Sequence, residues 1–111
     1  MNRMAFISGK NIKREAKKQD VRKRKTKEQM ISEDYDGLEL LFADGFGTAI
    51  MGVSVTGGGS GDAKVVYDYD KCISILIKRD GMTYNDAVEF LEFNTLGAYV
   101  GEHTPIFMNK I

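Results

Sequence analysis

Residues 65–107 read VVYDYDKCISILIKRDGMTYNDAVEFLEFNTLGAYVGEHTPIF, and the fold turns on how that stretch divides. Val65, Tyr67 and Tyr69 alternate with Val66, so Ala63 to Tyr69 reads as a half-buried strand. Asp70 then offers a side-chain oxygen for the orphan N–H groups of a helix start. Ile73, Leu76 and Ile77 recur at helical spacing, and Asp80-Gly81 stops the helix with glycine in the left-handed position. Thr83 caps a second helix, with Asp86 three residues on as a shortened capping-box acid. Ala87, Val88, Phe90 and Leu91 form its apolar stripe, and Asn94 or Gly97 ends it. Pro105, Ile106, Phe107 and Met108 read as a closing edge strand.

Upstream, Thr48 to Thr56 (TAIMGVSVT) carries the β-branched alternation of a strand, with Gly52 marking a bulge or a close backbone approach. Gly57 to Gly61 (GGGSG) connects it to the next strand as a hairpin loop. Leu38 to Phe42 is a short apolar run of ambiguous period, set between the turn signals Asp36-Gly37 and Asp44-Gly45. The expected fold is α+β: a small ββααβ domain whose mainly antiparallel sheet carries a helix pair on one face. A basic N-terminal arm, helical or disordered, precedes it.

Charge draws the boundary. Of 111 residues, 16 are Lys or Arg and 16 are Asp or Glu, yet the balance of zero is unevenly spread. Residues 1–30 hold 11 basic and 3 acidic side chains, a net +8, and residues 31–111 hold 5 and 13, a net −8. The division is therefore a basic arm, 1–31, and an acidic α+β domain, 32–111. Within the arm, Met4, Ala5, Phe6 and Ile7 form an apolar cluster suited to a docking strand or a frayed end. Residues 10–30 are rich in helix formers, but their apolar stripe stops after Ile12 and Ala16.

The arm is the feature with a functional reading. Lys13, Arg14, Lys17, Lys18, Arg22, Lys23, Arg24 and Lys25 are the candidate contacts for nucleic acid or for an acidic partner. An acidic surface of the chain itself would satisfy them equally well.

Each catalytic motif has a plainer explanation. GGGSG lacks the Gly-Lys-Ser/Thr of a phosphate loop and leads into a strand, not a helix. Asp68-Tyr69-Asp70 invites an aspartyl-phosphate hydrolase or a calcium loop, but it fits a strand end followed by a helix cap. His103, the one histidine, has no His or Cys spacing for a metal. Cys72, the one cysteine, reads as a packed or half-exposed thiol, and excludes a disulfide framework within the chain. Glu89 and Glu92 read as a solvated helix face, and Tyr67, Tyr69, Phe90, Phe93 and Tyr99 as core or strand residues. No catalytic, cofactor-binding or metal-binding residue is assigned, no cofactor is expected, and the protein is expected not to be an enzyme. No apolar run approaches the length of a membrane span, and no secretory signal is expected, since no apolar h-region follows the first charges. Short edge strands and an uncovered sheet face allow a homodimer.

The C-terminal part also resembles a family of small proteins encoded in the genomes of tailed bacteriophages. The resemblance runs from about Ala49 to Phe107. It is carried by Val66-Tyr67-Asp68, Arg79-Asp80-Gly81-Met82, Ala87, Glu89-Phe90 and Phe93-Asn94, then Gly97-Ala98-Tyr99-Val100-Gly101 and Thr104-Pro105-Ile106-Phe107. It implies a phage accessory protein acting in the bacterial host cytoplasm, and it brings no residue roles with it. The expected function is non-enzymatic binding of a host or phage macromolecule, foremost a protein. The alternative is association with nucleic acid through the arm. A small hydrolase or nucleotide-handling enzyme built around Asp68 and Asp70 is the minor alternative.

Overall fold

The computed structural model describes residues 4–17, 25–35, 37–54, 63–95, 101 and 103–111. Its elements are β1 (Phe6–Ser8), α1 (Gly9–Lys17), α2 (Lys27–Asp34), β2 (Leu41–Ala43), a 3-10 turn (Gly47–Ala49), β3 (Ile50–Ser54), β4 (Lys64–Asp68), α3 (Tyr69–Asp80), α4 (Tyr84–Thr95) and β5 (Ile106–Met108). Helices and strands are both present, so the class is α+β.

β4 is the centre of a three-stranded sheet ordered β3-β4-β5. Its burial alternates as the sequence predicts. Val65 and Tyr67 are fully buried, and Lys64 and Val66 only partly. β3 pairs with it antiparallel, with a bulge between Ile50 and Gly52 that leaves Met51 exposed. Gly52 marks that bulge and no close approach, since no atom lies within 4 Å of where a side chain would start.

Three expectations are corrected here. First, β5 runs parallel to β4, so that sheet is half parallel, not mainly antiparallel. The helical crossover between the two strands is what permits parallel pairing of neighbours. Second, Thr48 and Ala49 belong to the 3-10 turn and the strand begins at Ile50. The buried Phe46 ring anchors that turn, and the Ala49 N–H donates to the Phe46 carbonyl at 2.9 Å. Third, Asp68, not Asp70, is the N-cap of α3, which begins one residue after the strand. The Lys71 N–H donates to Asp68 Oδ1 at 3.2 Å, while Asp70 is an exposed first-turn acid.

The rest of the helix pair follows the local signals. Gly81 adopts φ 69°, with N–H bonds from Gly81 to the Ile77 carbonyl and from Met82 to the Leu76 carbonyl. Thr83 Oγ1 accepts from the Asp86 N–H at 3.1 Å. Cys72, Ile73 and Leu76 of α3 and Ala87, Phe90, Leu91 and Asn94 of α4 are buried. Ile77 and Phe93 are exposed, against the expected stripe and core. The cap lies two residues earlier than expected, and Cys72, next to Ile73, completes the buried stripe in place of Ile77.

A second, two-stranded sheet joins the N-terminal residues to the body. β1 pairs antiparallel with β2, in the register Phe6↔Ala43, Ile7↔Phe42 and Ser8↔Leu41. Ser8 Oγ accepts from the Asn11 N–H at 3.3 Å and caps α1. Thr26 and Gln29 form a reciprocal capping box on α2. The boundary drawn at residues 31/32 on charge lies inside α2. Met4 and Ile12 belong to the same buried cluster as Tyr67 and Leu76. Over the described residues the basic segment is thus docked on the acidic body. Apolar burial of a few side chains, each contributing about 1.5–3 kcal/mol, holds it there.

Tyr67 ties these parts together. Its ring stacks on Phe107 with centroids 5.2 Å apart, and its hydroxyl accepts from the Ala43 N–H at 2.7 Å. One side chain of β4 thereby touches β5 and satisfies a backbone donor of β2.

Candidate functional site

The expected contact residues of the arm are spread across three surroundings. Lys13 and Arg14 lie on α1, with Arg14 exposed and Lys13 half-buried. Lys17 is the last residue of that helix. Lys25 precedes α2, and its Nζ lies 2.7 Å from Glu33 Oε2. Lys18, Arg22, Lys23 and Arg24, like the whole GGGSG loop and Tyr99, lie outside the described residues.

Two other basic side chains of this segment reach groups of the body. Lys27 Nζ donates to the Ile50 carbonyl at 2.9 Å, and Lys10 Nζ stands 3.8 Å from Glu39 Oε1. The ion pairs are exposed, so each contributes between zero and about 1 kcal/mol. They orient the segment more than they hold it.

Beside Lys27, the seam between α2 and β3 opens a shallow apolar groove of about 250 Å³ lined by Met30, Ile31, Ile50, Met51 and Gly52. Met30 and Met51 are each 46% exposed. Two flexible thioethers on one surface can fit partners of varied shape. No single sequence motif marks this groove. Met30 comes from the basic segment and Met51 from a bulged strand, and only the docking of α2 brings them together.

The groups singled out for chemistry are absorbed by structure. Asp68 caps α3 through Oδ1 and holds Lys110 Nζ at 3.1 Å through Oδ2. Burial pushes its carboxyl up, but the Lys110 ammonium and the N–H groups of Lys71 and Asp70 outweigh that and hold it below the usual carboxylate range. Cys72 is fully buried, and burial, with the Asp68 charge, pushes its thiol up to about 12. It stays a protonated thiol at neutral pH and is not an activated nucleophile. His103 Nδ1 donates to the Ala63 carbonyl at 2.7 Å, which fastens the approach to β5 to the start of β4. Glu89 and Glu92 are exposed on α4. Among the described residues no three His, Cys, Asp or Glu side chains gather as a metal site, and no helix is long and apolar enough to cross a membrane.

Two roles were not visible in the sequence. Asn94 is buried, its Oδ1 accepting from the Met4 N–H at 2.8 Å and its Nδ2 donating to the Phe90 carbonyl at 2.7 Å. It latches the N-terminal residues to α4. Arg79 donates to the Gly45 carbonyl at 2.7 Å, lies 5.0 Å above the Phe46 ring and pairs with Asp80. It clamps the end of α3 to the turn after β2. The Arg79-Asp80-Gly81 run was legible as a helix stop, but the clamp depends on a residue 34 positions away.

Compared with known proteins, the chain matches no family model, no curated protein and no solved structure.

Proposed function

We propose that this is a small non-enzymatic accessory protein of a tailed bacteriophage, acting in the bacterial host cytoplasm by binding a host or phage protein. The binding unit on this reading is the ββααβ set β3, β4, α3, α4 and β5, with the basic segment docked beside it. The observation that carries the reading is the exposed pair Met30 and Met51 over the apolar α2–β3 groove. Such a surface gains from being covered by another protein, and the Lys27 ammonium at its edge is already engaged by the Ile50 carbonyl. The phage assignment itself rests on the motif resemblance between Ala49 and Phe107.

A second reading has its own support. Lys10, Lys13 and Arg14 lie within one turn of α1, and Lys10 and Arg14 are exposed. A basic helix face of this kind can follow a nucleic-acid backbone.

A tagged full-length chain and a Met30→Glu/Met51→Glu variant, each used for capture from bacterial lysate with and without nuclease, separate the two. A discrete protein retained after nuclease treatment and lost with the methionine variant is the expected result. Capture that vanishes with nuclease, falls steeply with salt and ignores the methionine changes would overturn it and favour α1.

A further inference from the structure

The outer faces of α3 and α4 carry opposite charges at the same spacing. On α3, Lys71, Ser74 and Lys78 are exposed at i, i+3 and i+7. With the half-buried Ile75 and with Arg79 they line an open groove of about 330 Å³. On α4, Asp86, Glu89 and Phe93 follow the same i, i+3, i+7 spacing, with Glu92 beside them. Phe93 is 58% exposed, a large aromatic side chain standing in water between carboxylates. Among the described residues neither Lys71, Lys78, Glu89 nor Glu92 takes part in an ion pair.

We propose that the occupant of the α3 groove is α4 of a second copy of this chain. Phe93 lies over Ile75 and the aliphatic stem of Lys71, whose ammonium stays at the rim. Glu89, Glu92 and Asp86 meet the cationic edge formed by Lys71 and Lys78. The two helices belong to one hairpin joined by Gly81, Met82 and Thr83. A twofold axis parallel to the hairpin therefore makes the contact twice, α3 on α4 and α4 on α3, and closes the assembly at two copies. That axis sets α3 and the partner's α4 antiparallel, which brings the Lys78 end of one to the Asp86 end of the other. This surface is separate from the α2–β3 groove, and the inference stands or falls independently of the phage reading.

Sedimentation equilibrium of the full chain over a dilution series tests it. The expected result is a monomer–dimer equilibrium that weakens with salt and is weakened about tenfold or more by Phe93→Ala. Two charge-reversed chains provide the decisive comparison. One carries Lys71→Glu and Lys78→Glu, the other Glu89→Lys and Glu92→Lys. Each alone is expected to be monomeric, because both contacts become like-charged, and their equimolar mixture is expected to recover the dimer. Circular dichroism of each chain confirms that its helices are retained, and a misfolded chain could not recover in the mixture. A native chain that is monomeric throughout, or a dimer indifferent to both reversals, would overturn the proposal.

Discussion

The helical hairpin Tyr69–Thr95 and the N-terminal segment, residues 4–34, are both largely helical, yet they are held in place differently. The hairpin buries Cys72, Ile73, Leu76, Ala87, Phe90 and Leu91, and each helix start is closed by its own side-chain cap. Among its described residues the N-terminal segment buries only Met4, Gly9, Ile12 and Ser32, and it depends on partners far away in the chain. Its anchors are the β1–β2 pairing, the Asn94 latch, the Lys27 bond to the Ile50 carbonyl and the exposed Lys10–Glu39 pair. The difference teaches that a change in charge along a chain can fall inside one helix, as it does in α2. A segment of high positive charge can still spend its few apolar side chains in a shared core.

The strongest way to break this comparison is at Tyr67, in the core cluster that holds buried side chains of both regions. Tyr67→Ala is expected to lose about 3–5 kcal/mol and to unfold hairpin and N-terminal segment in one transition, followed by urea denaturation with circular dichroism. Separate transitions would show two independent units. Asn94→Ala sharpens the contrast, since it removes the latch while leaving the apolar stripe of α4. It is expected to cost about 1–3 kcal/mol and to raise amide exchange at residues 4–17 far more than at 69–80. Equal effects on both segments would mean that the latch is not local.

Titration separates the regions further, with opposite signs. Asp68, which caps the first helix of the hairpin, has a folded pKa below its unfolded value of about 3.9. Its stabilising contribution is present above that value and is lost as pH falls through the lower folded one. Asp68→Asn is expected to flatten that part of the acid limb in urea midpoints measured against pH. Glu28 of the N-terminal segment is raised by burial and by the Asp44 charge, above its unfolded value of about 4.3. Stability from this group therefore falls as pH rises through the interval above that value. Glu28→Gln is expected to remove the fall and to leave the protein slightly more stable at neutral pH. A midpoint lowered at pH 7 would show that the carboxylate makes a favourable contact. The smallest effect is expected at Lys25→Ala, within about 0.5 kcal/mol, because its pair with Glu33 is exposed.

The hairpin was the more legible of the two for the same reason that it is the more self-sufficient. Gly81 and Thr83 act within four residues of their own positions, so their chemistry appears in sequence order. Asp70 was preferred to Asp68 as the cap because both are acids two residues apart, and only the register of β4 decides which one leaves the sheet. The ambiguous run Leu38–Phe42 yields a strand from Leu41 only because β1 lies alongside to accept its hydrogen bonds. The eight basic candidates were legible as a charge excess, but Lys25 beside Glu33 shows that charge alone does not say what a side chain faces. The Met30–Met51 groove had no sequence signal, being made from a helix and a bulge 21 residues apart.

By itself the sequence determined the mixed α+β character, the helix pair with its stop and second cap, the alternation of β4 and the split of charge between the two ends. These follow from propensities, periodicity and capping, which act over a turn or two of chain. Tertiary structure alone decided the parallel return of β5, the pairing of β1 with β2, the Asn94 latch and the seat of Tyr67 between them. Each of those joins groups that have no reason to meet until burial of the core brings them within hydrogen-bonding distance, and long-range burial is the one contribution that local sequence order does not encode.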